Sequence, residues 1–228
     1  IEKKYYNFNG LNLTLETLDG LLKHNGPITN NKNYQNILGK NIFQNKIDFS
    51  KGPSLEAQIS SISDDIAYNS HDLEDGLNAG LFNLNDLRAI PLICDIVKFH
   101  QKRLKKNNKE LIYRQITRDL INKMVSDVVN TTNFNIKKEK IKTIRDVYKT
   151  KAKLVNFSKK MRLFDKNIKL FLNKNMYNNP NVLKKTKQGS NIIRLLFKKI
   201  KEKPDKFIKF NNLKMFTKER RVCDFIAG

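Results

Sequence analysis

Apolar residues within residues 54–80 recur every three or four positions, and this period constrains the stretch to a helix. Ser54 follows a proline and predicts the N-cap of this helix, while Gly76 is the first helix breaker that comes after it. The period predicts a buried face made of Ile59, Ile62, Ile66 and Leu73. A second stripe at helical spacing carries the polar residues Asp64, Tyr68, His71, Asp72 and Asp75.

The polar stripe has two interpretations. Carboxylates beside a buried face suit a functional site at the rim of a helical core, and they suit an ordinary solvated face equally well. Other motifs do not help, because the sequence has no Gly-rich phosphate loop, no H-E-x-x-H, no G-x-S-x-G and no cysteine cluster. The spacing alone therefore leaves both interpretations open.

The rest of the chain follows the same helical period. Alternating strand patterns and hairpin turns are nearly absent, so we predict an all-α fold. Further helices are predicted at about residues 14–24, 83–106 (two short helices meeting near Pro91), 109–129, 157–177, 190–201 and 216–228. Residues 28–53 are predicted to form a loop, and residues 131–155 a basic, exposed connection that is mobile or only partly helical. The predicted inward residues include Leu21, Ile193 and Leu196.

The charge of the chain is strongly positive. Lys and Arg total 45 against 22 Asp and Glu, a formal net charge of +23. Such an excess indicates nucleic acid as a partner, and the basic run at residues 137–153 is its best local candidate. However, Lys greatly outnumbers Arg, and Asn and Ile are abundant as well, which is typical of an AT-rich coding bias acting on a solvated surface. Charge alone does not decide between these interpretations.

Cysteine usage and hydropathy indicate a cytoplasmic protein. Cys94 and Cys223 are far apart and lack metal-type spacing, which favours reduced thiols. No apolar run is long enough to span a membrane, and the N-terminus shows no signal-peptide pattern. Because the first residue is Ile1, we expect this chain to be a fragment or a processed piece of a longer one.

Several segments resemble a known family. Residues 56–82, EAQISSISDDIAYNSHDLEDGLNAGLF, are similar to the signature of the deoxyguanosinetriphosphate triphosphohydrolase-like branch of the HD phosphohydrolases. Residues 10–27, GLNLTLETLDGLLKHNGP, match the family segment just before that signature. Residues 161–182 and 220–228 match its C-terminal, phosphohydrolase-associated region, so the resemblance extends over nearly the whole chain.

The resemblance implies an enzyme that hydrolyses a deoxynucleoside triphosphate, such as dGTP, to the deoxynucleoside and intact triphosphate. It implies that residues 1–106 are the C-terminal portion of the HD phosphohydrolase domain. Residues 107–228 would then be a truncated, phosphohydrolase-associated helical domain. It also leads us to expect a homo-oligomer.

The same resemblance assigns roles to part of the polar stripe. Family enzymes carry a D-x-x-x-Y-x-x-x-D helix, which matches Asp64, Tyr68 and Asp72 here. By that match Asp64 is a ligand of a divalent metal ion such as Mg²⁺ or Mn²⁺, for which a carboxylate is a suitable donor. Tyr68 and Asp72 would bind the substrate, with the Asp72 carboxylate accepting a hydrogen bond from the 3′-hydroxyl of the sugar.

The other metal ligands of the family, a His and a His-Asp doublet, precede the segment at which this chain begins. The catalytic His and Glu follow that doublet, so the resemblance places no catalytic residue within this chain. His71-Asp72 is not the doublet, because it lies on the same helix as the later Asp. We therefore expect a fragment that, by itself, binds metal weakly and is inactive.

Three further residues are candidates with ordinary alternatives. Asp65 adjoins the metal ligand and either supports it or forms an outer salt bridge. Tyr113 and Arg114 begin a helix that borders the nucleotide site in the family, and they contact either the substrate or only their helical neighbours. The alternative function is a non-catalytic basic helical module that binds single-stranded nucleic acid or nucleotide. A structural oligomerisation unit is a third hypothesis.

Overall fold

The computed structural model describes residues 7, 11, 13–26, 28, 47–103, 108–208 and 217–228. These residues form nine α-helices and no strand, which confirms the all-α prediction. One π-helical turn, Asn173–Tyr177, and one 3₁₀ turn, Pro204–Lys206, complete the regular structure of the described residues. The α-helices are α1 Leu15–Lys23, α2 Leu55–Asn78, α3 Leu84–Leu87, α4 Pro91–Arg103, α5 Lys109–Lys138, α6 Ile144–Lys149, α7 Lys159–Leu172, α8 Pro180–Glu202 and α9 Lys218–Ala227.

Helix α2 begins where the sequence predicts, because the Ser54 hydroxyl accepts a hydrogen bond from the Ala57 N–H at 3.2 Å. The helix does not stop at Gly76, which is buried within it. The Phe82 ring packs against this glycine, in space that a side chain would otherwise occupy. The helix ends two residues later, and Gly80 follows in the left-handed region with φ +65°. Gly76 is thus a packing residue rather than a breaker.

The core of the first part of the chain lies where α2 packs along α5. Helix α4 packs on α5, and α1 packs on α2. The predicted stripes hold for most positions, but Ile59 and Leu21 are about half exposed. Ile59 has nearly the same helical phase as Ile66, but the buried residues of its turn are Ala57 and Gln58. The buried apolar residues of α2, α4 and α5 include Ile62, Ile66, Leu73, Leu77, Ile93, Ile96, Val97, Ile112, Ile116, Leu120 and Met124.

The prediction of an exposed, partly helical connection at residues 131–155 is confirmed only in part. Helix α5 continues to Lys138, and α6 follows with a capping box between Thr143 and Asp146. Val147, Leu154 and Val155 are buried. Polar residues stabilise this region as well, since the Asn135 amide donates to the Leu154 carbonyl at 2.8 Å. Most of the predicted loop at residues 28–53 lies outside the described residues.

Contacts divide the chain into two compact units, residues 1–170 and 171–228. In the second unit α9 packs on α8, and Lys201 pairs with Glu219 at 3.0 Å. Helix α8 starts ten residues earlier than predicted, because Asn179 caps it and Pro180 occupies its first turn. Ile193 and Leu196, predicted to point inward, are exposed. The domain boundary predicted at residues 106–107 stays a prediction.

The search for membrane-spanning segments is negative for the part of the chain that the structure describes. None of its helices combines the length and the apolar character that crossing a bilayer requires. Even the 30-residue α5 alternates buried apolar residues with charged ones.

Candidate functional site

The residues of the D-x-x-x-Y-x-x-x-D match lie on successive turns of α2 and share one face. Asp64 is exposed, Tyr68 is 62% exposed, and Asp72 is half-buried. Ile62, Ile66 and Leu73 anchor the opposite side of the helix in the core. The structure thus presents Asp64, Tyr68 and Asp72 together on a rigid helix, and we call this surface the α2 acidic face.

Asp65 turns away from that face toward α7. Its Oδ1 lies 3.1 Å from the Lys169 ammonium, which also contacts Asp165 Oδ2 at 3.0 Å. The outer salt bridge that the sequence left open for Asp65 is therefore present. Burial alone would lower the pKa of Lys169, but the hydrogen bonds to Asp165 and Asp65 outweigh it and raise the pKa above its ordinary value.

A buried asparagine completes this connection. Asn69 is 4% exposed, and its Nδ2 donates a hydrogen bond to Asp165 Oδ1 at 2.6 Å. This role could not be predicted from a local pattern, because Asn69 and Asp165 are 96 residues apart. A signal was nevertheless present: Asp165 and Lys169 stand four residues apart, at the spacing of a helical ion pair.

Tyr113 and Arg114 lie on the second turn of α5, the helix that packs along α2. Tyr113 is half-buried, and Arg114 is exposed. Their assignment to the substrate stays a prediction.

Two histidines have structural partners. His24 caps α1, and its Nδ1 lies 2.8 Å from the Leu21 carbonyl oxygen, as expected for a histidine at a helix end. His100 is buried in α4, and its Nε2 lies 2.8 Å from Asp119 Oδ2 on α5. This pair ties α4 to α5, a role that the sequence did not reveal.

A metal ion would require more ligands than this surface offers. Nowhere in the described ranges do three or more His, Cys, Asp or Glu side chains gather into a possible metal cluster. Asp64 supplies one hard oxygen donor, whereas Mg²⁺ and Mn²⁺ prefer about six ligands. The described residues therefore do not make a metal site by themselves.

A second candidate surface lies in the first unit, along the C-terminal half of α5. This groove encloses 620 Å³, and four cationic side chains stand on its rim: Lys138, Lys153, Lys159 and Arg162. Phe134, 64% exposed, also lines it. The one carboxylate of the lining, Asp127, accepts two hydrogen bonds from Ser158, at 2.8 and 2.7 Å. We call this surface the basic groove.

Comparison with known proteins supports the resemblance seen in the sequence. Residues 155–228 match the family model of the phosphohydrolase-associated domain. The whole chain is 50% identical to a deoxyguanosinetriphosphate triphosphohydrolase-like protein of Pelagibacter ubique, of which it covers 61%. Similarly named proteins of Neorickettsia sennetsu and Parvibaculum lavamentivorans are 36% and 33% identical, and the chain covers 60% of each. The resemblance is thus confirmed, and the chain spans about 60% of the length of these relatives.

Proposed function

From this similarity along the whole chain, we propose that the protein is part of a metal-dependent phosphohydrolase that acts on deoxynucleoside triphosphates. The reaction would release the deoxynucleoside and intact triphosphate, with dGTP as the model substrate. The observation that carries the proposal is the α2 acidic face, where Asp64, Tyr68 and Asp72 match the family helix and lie together at the surface. Its rigid anchoring in the core suits residues that must hold a substrate in place.

Each residue of the face has a distinct task in this proposal. The Asp64 carboxylate would be one ligand of a divalent metal ion, and the remaining ligands would come from the rest of the longer protein. When bound, such an ion polarises a phosphoryl oxygen and lowers the pKa of water. The Tyr68 ring would pack against the nucleotide, and the Asp72 carboxylate would accept a hydrogen bond from the sugar hydroxyl. Asp65, paired with Lys169, would support this arrangement.

The proposal extends to the organisation of the whole protein. Residues 1–106 would complete an HD phosphohydrolase domain, and residues 107–228 would belong to the helical domain associated with it. The protein would work in the cytoplasm, on its nucleotide substrate, as a homo-oligomer. Light scattering of the longer protein measures the assembly directly.

Substitution of Asp64 tests the site. In the longer protein, we expect Asp64→Asn to lower kcat for triphosphate release more than about 100-fold. Removing a metal ligand should lower activity more than removing a residue that only hydrogen-bonds to a ligand. Asp95→Asn is the matched control, since Asp95 is an exposed aspartate on α4. Circular dichroism checks that both variants fold alike. Full activity of Asp64→Asn would contradict the metal assignment.

A second candidate function is binding of single-stranded nucleic acid or nucleotide, which the basic groove favours. Four cations can neutralise phosphates, and an exposed aromatic ring offers a stacking surface for a base. The net charge of +23 would add long-range attraction. This function is compatible with the first, because the basic groove and the α2 acidic face have no residue in common.

Titration with a fluorescent single-stranded oligonucleotide tests this second function. We expect Phe134→Ala to weaken binding by about 1–3 kcal/mol, the usual contribution of one stacked base. Leu163→Ala is the control, because Leu163 is 61% exposed and does not line the groove. Equal binding by the two variants at moderate salt would remove the nucleic-acid candidate.

A further inference from the structure

Four side chains form a chain of contacts between α2 and α7, at the edge of the α2 acidic face. Asp65 and Asn69 are one turn apart on α2, while Asp165 and Lys169 are one turn apart on α7. Lys169 bridges the two carboxylates, and Asp165 in turn accepts the hydrogen bond from Asn69. The 2.6 Å bond from the buried Asn69 amide holds Asp165 in place, and Asp165 holds Lys169.

We propose that Lys169 is a positioning residue for the polyphosphate substrate, acting through Asp65. This inference rests on the function proposed above for the α2 acidic face. By pairing with Asp65, Lys169 keeps that carboxylate turned toward α7 and neutralises its charge. Asp64, the adjacent residue, stays on the α2 acidic face with Tyr68 and Asp72.

Electrostatics explains why this matters for a polyphosphate. Asp64 and Asp65 are adjacent on α2, and Asp165 of α7 shares Lys169 with Asp65, so several carboxylates lie at the surface that must receive an anionic substrate. Each uncompensated carboxylate repels the approaching phosphates. Lys169 is shared between Asp65 and Asp165, so it offsets one negative charge of this cluster. Without it, substrate binding should weaken.

A purely structural role predicts something different. The Lys169 ammonium and the Asp65 carboxylate are about half exposed, at 45% and 50%, and exposed ion pairs contribute little to stability. If Lys169 served only the fold, removing the charge of Asp65 would not restore the substrate binding that is lost with Lys169. If it balances the charge of Asp65, an uncharged residue at position 65 should restore binding.

The experiment compares Lys169→Met, the double variant Lys169→Met/Asp65→Asn, and Lys166→Met in the longer protein. Lys166 is an exposed lysine on the same helix and serves as the control. Steady-state kinetics with dGTP give kcat and KM, and calorimetric titration with dGTP in EDTA gives a dissociation constant without turnover. We expect Lys169→Met to raise both KM and the dissociation constant about fivefold, with kcat little changed.

The double variant should return both constants to within about twofold of the wild type, and the fivefold effect should shrink in high salt. Equal constants for Lys169→Met and Lys166→Met would overturn the inference, as would a double variant no better than Lys169→Met. A wild-type protein that binds dGTP but does not release triphosphate would contradict the proposed function alone. The titrations would then still decide the role of Lys169.

Discussion

Gly76 has a structural role different from the one that its residue type predicts. Glycine usually ends a helix, yet here the helix passes through it and the Phe82 ring lies against its backbone. A β-carbon at this position would collide with two atoms of the Phe82 ring. The residue is therefore required by close packing rather than by a turn.

We expect Gly76→Ala to lower the free energy of unfolding by about 1–3 kcal/mol, because the buried Phe82 ring must move to admit the methyl group. Urea unfolding followed by circular dichroism measures the change. Gly189→Ala is the control, since nothing lies within 4 Å of its added β-carbon. In the exposed helix α8 that variant should gain up to about 1 kcal/mol. A stable Gly76→Ala protein would show that the ring contact is loose.

Asp65 illustrates what could and could not be predicted at the scale of single residues. The sequence suggested two roles for it, and the structure shows the ion pair with Lys169. The partner lies 104 residues away, so no local pattern could identify it. Asp64, Tyr68 and Asp72 are different, because a spacing of four places them on one face whatever the tertiary structure does. Their roles stay predictions.

Helix ends depend on caps that the apolar period does not reveal. Helix α5 runs nine residues beyond its predicted end, and α8 begins ten residues before its predicted start. In both cases the missed residues are mostly polar and exposed, so no buried stripe marks them. The existence of these helices was predictable from periodicity. The start of α8, however, follows from the Asn179 side-chain cap, and α5 ends two residues before Lys140, whose φ of +53° lies in the left-handed region.

The capping box of α6 makes a prediction about pH. Hydrogen bonds from the Lys142 and Thr143 backbone N–H groups, together with the Thr143 hydroxyl, lower the pKa of Asp146 below its usual value. The ionised carboxylate is thus favoured in the folded state. Its stabilisation is present above the unfolded pKa of about 3.9 and is lost as the pH falls through the lower folded pKa.

Asp146→Asn should therefore be less stable than the wild type at pH 6–7, and the difference should fade below about pH 4. Urea unfolding at several pH values gives the two free energies. Asp95→Asn again serves as a control, because Asp95 lies outside any capping box. A difference that stays constant down to pH 2 would mean that the Asp146 charge does not stabilise the cap.

At the scale of the whole molecule, the fold class followed from composition and period, but the division of the chain did not. The boundary between the two compact units falls between residues 170 and 171, within α7, whereas the family match begins at residue 155. An amphipathic helix runs through that point, so the sequence contains no linker that would mark the boundary. The candidate site could likewise be predicted only in part. The spacing predicts one face of α2, whereas the described residues contain no cluster that would complete a metal site.

The central claim is the proposed release of intact triphosphate by a longer protein that contains this chain. Its products can be followed by ³¹P nuclear magnetic resonance during incubation with dGTP and Mg²⁺ or Mn²⁺. We predict signals of intact triphosphate, with one deoxyguanosine formed for each triphosphate and no pyrophosphate or orthophosphate. Formation of dGMP with pyrophosphate, or of dGDP with orthophosphate, would contradict the account.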